Sequence, residues 1–400
     1  MPSRSFVFLF SLVLIGGLTV AQQAPRQRAA NPRTATAGEA LAGLTAAQMT
    51  KFVNGRAEFL EDEEVGDGLG PLFNGRSCGE CHGVPAIGGG DATRFVTRFG
   101  RTINGAFDPL ADFGGTLIQD HALGIADGSP HAFAAETVPA QATIVAHRRA
   151  TPLFGLGLVD ATPDADFIAL AAREAARGDG TGGRVAMVDN FSAGMKTVGK
   201  FGWKAQNPTI FQFAGDAYVN EMGITSAQFP SENCPNGNCS ELAFNPSPGI
   251  NDGGSGVQSL ADFMTLLAPP PRASSRDADA GEALFERIGC TACHVATLRS
   301  GSSSIAALDH QTYHPYSDFL LHDMGSLGDG IEQNNARGRD FRTAPLWGLR
   351  YVTAYLHDGR ASTLDAAILA HDGQARASRD RFAALDRDSK GKVRAFLGSL

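Results

Sequence analysis

No basic block interrupts this sequence. Charged residues make up 19% of it, and the net charge is −8. A chain without a run of Lys and Arg offers no stripe along which nucleic acid would track. Tryptophan is scarce, with two residues in 400. Unmatched cysteine is absent too. There are six cysteines, and each has an evident place. The apolar run Phe6 to Val20 (FVFLFSLVLIGGLTV) is short for a membrane span. What is plentiful is glycine, 48 residues, and proline, 20. That composition suits a loop-rich fold wrapped around something better than a bundle of long helices. The 43% apolar content is enough for a sizeable core and for two domains.

The N-terminal residues predict an export signal. Arg4 precedes the apolar run, and Ala21 supplies a small residue for cleavage. Residues 1–21 therefore read as a signal peptide and 22–40 as a flexible N-terminus. With no cysteine near the cleavage point, a lipoprotein is disfavoured. Export implies an oxidising compartment. Cys234 and Cys239 flank a Pro-Asn-Gly-Asn turn and are expected to form a small-loop disulfide.

The other four cysteines lie in two Cys-x-x-Cys-His motifs, CGECH from Cys78 to His82 and CTACH from Cys290 to His294. This is the attachment pattern of a c-type haem. Each sulfur forms a thioether with a haem vinyl group, and the adjacent histidine becomes an iron ligand. A zinc half-site would need further Cys or His pairs nearby, and neither motif has them. A thioredoxin-like pair would sit in a βαβ setting, whereas the lead-in DADAGEALFERIG reads as a short helix capped at Asp277 or Asp279. Two covalent haems c are expected, bound through Cys78, Cys81, His82, Cys290, Cys293 and His294.

The Pro/Ser/Asp stretch from Ala268 to Gly281 reads as a boundary. It divides an N-terminal haem domain with a long insert, 41–270, from a C-terminal cytochrome c-like haem domain, 271–400. The expected fold is mainly α, with two cytochrome c-like haem domains, long loops and a few short strands. ADFIALAAREAARGDG, from Ala165 to Gly180, predicts a helix stopped by glycine. The halves also echo one another. WKAQNPTI and HDGRASTL both place an aromatic or His, a short turn, then Thr and an apolar residue opening a helix.

These motifs resemble the bacterial di-haem cytochrome c peroxidases and the related methylamine dehydrogenase maturation enzyme. The similarity is greatest to their exported di-haem relatives, sometimes labelled thiol-oxidoreductase-like. It covers most of the mature chain. It is most specific from Phe52 to Cys81, from TPLFGLGLVDA to NEMG, and from Gly281 to Ala375.

The resemblance implies an electron-transfer haem at the C-terminal motif, with His294 proximal and either His371 or Met324 as sixth ligand. It places Trp203 between the haems and Glu221 as the proton-transferring group at the peroxide site. It implies a calcium ion held between domains by backbone carbonyls at Thr343 and Pro345. Where the family has a peroxide-site Gln, Phe213 stands beside Gln212. Where the peroxidases can offer a distal His, Arg98 stands. His121, His131, His147, Met195 and Met222 are further ligand candidates. Arg94 and Arg98 are expected to pair with haem propionates.

The implied function is a periplasmic, peroxidase-like di-haem oxidoreductase of Gram-negative type. Electrons would pass from a small donor, a cytochrome c or cupredoxin, through the C-terminal haem to the N-terminal one. The alternative is a non-catalytic di-haem electron carrier. A thiol-oxidising role has no spare reactive cysteine to support it.

Overall fold

The structure, a computed structural model, describes residues 36–91 and 93–400. The expected signal peptide lies outside the described residues, as does most of the 22–40 segment. No described helix is long and apolar enough to cross a membrane.

Nine helices and eleven strands are interspersed along the described chain. The helices are α1 (Ala46–Glu58), α2 (Leu156–Asp160), α3 (Asp164–Ala176), α4 (Ile210–Ala217), α5 (Ser255–Leu266), α6 (Arg276–Arg287), α7 (Leu364–Leu369), α8 (Arg376–Ala383) and α9 (Arg387–Leu397). The strands are β1 (Leu72–Phe73), β2 (Phe95–Ile103), β3 (Ala106–Asp108), β4 (His121–Ala122), β5 (Ile144–Arg149), β6 (Ala186–Asn190), β7 (Met195–Gly199), β8 (Leu298–Arg299), β9 (Thr312–Tyr313), β10 (Leu321–Asp323) and β11 (Asp340–Arg342).

The mainly α expectation is corrected to a mixed fold, about 35% helical and 15% strand. The reason is local. FVTRFGRTI and IVAHRR are rich in β-branched and aromatic residues, which fit a pleated surface. They pair antiparallel as β2 and β5, from Phe95 opposite Arg149 to Gly100 opposite Ile144, and β3 covers the other edge of β2.

Caps fix the helix starts. Thr45 and Gln48 form a reciprocal capping box on α1. On α6 the cap is Ser275, whose side chain accepts from Ala278 N, rather than Asp277 or Asp279. Those two carboxylates stand in the first turn instead, where they suit the positive end of the helix. The helix expected from Ala165 is α3.

Two buried clusters dominate. The larger gathers α1, α2, α4 and α5 around Phe52, Phe59, Phe154 and Phe263, and it also takes in Tyr313, Phe319 and Trp347. The smaller joins α6, α8 and α9 through Phe285, Phe382, Val393 and Phe396. The Pro-rich stretch runs between α5 and α6, exposed from 272 to 277.

Candidate functional site: two matched Cys-x-x-Cys-His frames

The two motifs sit in the same local frame. α1 crosses α5 at Gly55, where a Cβ would lie 2.2 Å from the Ser259 carbonyl oxygen. α6 crosses α9 at Gly281, where a Cβ would lie 1.9 Å from the Lys392 carbonyl oxygen. Only glycine allows backbones so close. One turn on, Phe59 stands 6.0 Å from His82 and 4.9 Å from Phe263 of α5. Phe285 stands 6.0 Å from His294 and 5.2 Å from Phe396 of α9.

Each motif is a single 3₁₀ turn whose first Cys carbonyl also accepts from the His N one residue beyond it, at 3.0 Å for His82 and 2.9 Å for His294. Each histidine donates its Nδ1–H to a backbone carbonyl, Gly89 at 2.9 Å and Tyr316 at 2.8 Å. That leaves Nε2 as the basic, ligating atom. Desolvation lowers the pKa of both rings, His294 to about 4, so both are neutral near pH 7.

The four motif cysteines are unpaired, while Cys234 and Cys239 are bonded. Desolvation pushes the Cys81 thiol up to about 11 and the Cys290 thiol up to about 12. Such thiols are not the thiolates of a redox or hydrolytic centre.

Around the second motif lies a mostly apolar cavity of about 250 Å³. Cys290, Cys293, His294, Met324, His371 and Trp203 all line it. His371 repeats the pattern of His294. Its Nδ1 donates to the Ala367 carbonyl at 2.8 Å, and desolvation lowers its pKa. His371 also lies close enough to depress the pKa of His294. Met324 caps a 3₁₀ turn and bonds through its backbone N to Arg339 O. The structure therefore brings both sixth-ligand candidates to the cavity, and the Ala367 bond leaves Nε2 as the basic atom of His371.

The first motif is flanked by charge. Glu221 sits on a single π-helical turn, Tyr218–Met222, of the kind that often marks functional sites. Its carboxylate accepts from Asn74 Nδ2 at 2.8 Å, and its carbonyl accepts from Asn74 N at 2.7 Å. Burial raises its pKa, and Asn74 and Arg98 offset part of the rise. After desolvation, the Glu221 charge is the largest influence on the Cys81 thiol. Arg98 projects from β2 and donates to Thr116 Oγ1 at 3.1 Å, while its Nε is buried without a partner. The charges of Glu221 and Asp216 both act on it.

The other ligand candidates have neighbours of their own. His121 pairs with Asp120, His131 stacks on Phe244 at 4.6 Å, and His147 bonds Thr97. Met195 is exposed on β7, and Met222 is packed in the larger core.

Arg94 pairs with Glu80 at 2.7 Å through Nη1, in an exposed ion pair of little strength. Calcium does not fit at Thr343. Its carbonyl oxygen already accepts from Ser317 Oγ at 2.7 Å and from the Arg342 guanidinium at 3.1 Å. Both lone pairs are used, one by a like charge.

The echo between WKAQNPTI and HDGRASTL is a repeated structural device. Phe201 bridges Asn207, and Tyr355 bridges Ala361. A threonine N-cap follows each, Thr209 on α4 and Thr363 on α7, accepting from the N3 amide. Trp203 thus corresponds to His357, and the two rings meet at 6.2 Å. Counted from the same caps, His371 corresponds to Ala217.

Several buried polar clusters were not legible in the sequence. His322 is 2% exposed, 2.9 Å from Asp318 Oδ2 and 3.4 Å from Cys293 Sγ. Burial alone would lower its pKa, but the Asp318 carboxylate outweighs burial and holds it well above the ordinary value. Arg148, Asp329 and Lys204 form a buried triad, with Asp329 2.6 Å from Arg148 and 3.1 Å from Lys204. They join β5 to the 329–338 loop. No spacing in the sequence announces such long-range pairs.

The comparisons follow these features. No curated protein sequence matches the chain. Among solved structures, a hydrazine synthase of Kuenenia stuttgartiensis is 17% identical, covering 44% of this chain and 65% of its own, with a TM-score of 0.28. A MauG-like protein associated with microbial copper homeostasis is 16% identical over 88% of each chain, with a TM-score of 0.38. Neither score carries an argument about fold or function. A family described as "Di-haem oxidoreductase, putative peroxidase" matches residues 135–400, which include the second motif, Trp203 and Glu221 but not the first motif. With more than half of its length in that match, the chain belongs to the di-haem oxidoreductase family.

Proposed function

We propose that this chain is an exported, periplasmic di-haem c-type oxidoreductase that reduces peroxide, with electrons entering from a small donor at the C-terminal site. One haem would be held by Cys290, Cys293, His294 and His371, the other by Cys78, Cys81 and His82. When bound, the haem at His294 would supply one-electron transfer and the haem at His82 would supply the redox chemistry of peroxide reduction.

One observation carries this reading. Ala217 stands where His371 stands in the other half, and alanine cannot bind iron. One turn further on stands Glu221, whose charge acts on both Cys81 and Arg98. Each site would therefore have its own partner side chains, the ligand His371 at Cys290–His294 and the pair Glu221 and Arg98 at Cys78–His82.

Reduction of one peroxide takes two electrons and two protons and yields two waters. Glu221 accepts the proton of the near oxygen and returns it to the departing one, which breaks the O–O bond. Arg98 stabilises the charge developing on the departing oxygen. Asn74 holds the Glu221 carboxylate in place. Trp203, between the cavity and β5, carries the electron.

The test is peroxide turnover by the holoprotein beside its Glu221→Gln variant. A loss of roughly 10²–10⁴-fold, with both haems still attached, is expected. Equal turnover in the two proteins, or none in the parent with two low-spin irons indifferent to cyanide, overturns the proposal and leaves an electron carrier.

A further inference from the structure

We propose that Arg149 anchors a haem propionate at the C-terminal site and thereby positions that haem against Trp203. The inference rests on the di-haem reading above.

Arg149 ends β5 and is 7% exposed. Its Nε is buried without a partner, and its guanidinium makes no ion pair among the described residues. Three arginines line the cavity, and the other two are engaged. Arg342 donates to the Gly202 carbonyl at 2.7 Å and the Thr343 carbonyl at 3.1 Å. Arg379 pairs with Asp380 at 2.8 Å and donates to the His371 carbonyl at 3.0 Å. The Asp91 charge reaches the Arg149 guanidinium without an ion pair, so its desolvation is only partly offset. A planar fork of donors calls for a carboxylate.

The cavity offers a second unmet donor. Trp347 Nε1 is also buried without a partner and lines the same space. A haem attached at Cys290 and Cys293 brings two carboxylates and would answer both donors. A Cβ at Gly90 would lie 3.3 Å from Arg149 Nη2, so a larger residue there would press on the guanidinium.

The backbone of Arg149 adds the second half of the inference. Its carbonyl accepts from Trp203 Nε1 at 2.8 Å, and its N donates to the His357 carbonyl at 2.8 Å. One residue therefore holds the indole by its main chain and the propionate by its side chain. That makes Arg149 a positioning residue, acting on electron transfer through both groups.

The experiment compares the holoprotein with its Arg149→Gln and Arg149→Lys variants. The readouts are covalent haem count by mass spectrometry, the propionate bending band in resonance Raman, and both midpoint potentials. Arg149→Gln should keep two haems, shift the propionate band, and lower the midpoint of the His294 haem alone, since a neighbouring cation is lost. Arg149→Lys should restore much of the midpoint but not the band position, because ammonium lacks the fork. If Arg149→Gln does not accumulate, the band in Arg149→Lys decides. An unmoved band and midpoint in a two-haem variant overturn the Arg149 assignment only. A parent protein without covalent haem overturns the di-haem reading itself.

Discussion

Trp203 and His357 occupy corresponding positions of one turn used twice, and their rings meet edge to face at 6.2 Å. Phe341 completes the cluster, stacked on His357 at 4.3 Å and edge-on to Trp203 at 6.2 Å. Lys204 lies over the Phe341 ring at 4.0 Å. The two halves of the repeat therefore touch through conjugated side chains, and the indole proton is held by the Arg149 carbonyl.

Replacing the indole should break that contact. Trp203→Phe is expected to slow electron transfer between the sites by about tenfold or more, ~1.4 kcal/mol in barrier, without changing either site's spectrum. Stopped-flow reduction of the two sites in turn measures it. An unchanged rate would remove Trp203 from the path.

His371 and Met324 separate by spectroscopy. His371→Ala should turn the C-terminal iron from low to high spin by EPR, and Met324→Leu should leave it low-spin with nitrogenous ligation. The reverse outcome would assign the ligand to Met324 and leave His371 as a helix-end residue.

Chelation should do little. With the Thr343 carbonyl taken by Ser317 and Arg342, the holoprotein should keep its inter-site transfer rate after EDTA treatment, and added calcium should not raise it. A calcium-restored rate would show that another set of oxygens holds the ion.

The α6–α9 crossing should tolerate no side chain. Gly281→Ala forces the helices apart at the Lys392 carbonyl and should cost about 1–3 kcal/mol in urea unfolding. Glu282→Ala, at the more exposed neighbouring position, is the control and should cost less.

Glu232 gives a pH signature. Burial raises its pKa to about 7, against a weaker lowering by the Asn233 amide, and its Oε2 has no partner. A carboxyl raised on folding contributes stability that is present below its unfolded value of 4.5 and lost as pH rises through about 7. Glu232→Gln should flatten that loss by on the order of 1–3 kcal/mol. Paired urea titrations at pH 4.5 and 7.5 measure it, and parallel slopes would refute it.

Legibility varied with the range of the interaction. The Cys78–His82 and Cys290–His294 motifs were readable because attachment chemistry fixes their spacing within a single turn. The lead helix α6 was readable from its period, although its cap was misplaced, because Ser275 and two aspartates all suit a helix start. The short strands were underestimated, since β1, β4, β8 and β9 are two residues each and exist only by pairing.

The sequence by itself determined the two attachment motifs, the repeated turn around Trp203 and His357, and the short list of distal candidates. These are local patterns, set by covalent chemistry and turn geometry. Tertiary structure alone decided which candidates share a space. It brought His371 and His294 to one cavity, put Arg98 and Cys81 under the charge of Glu221, paired Arg94 with Glu80, and left Arg149 without an ion pair among the described residues. Each of those outcomes depends on contacts between distant segments. They follow from which groups burial forces together and which charges it leaves uncompensated.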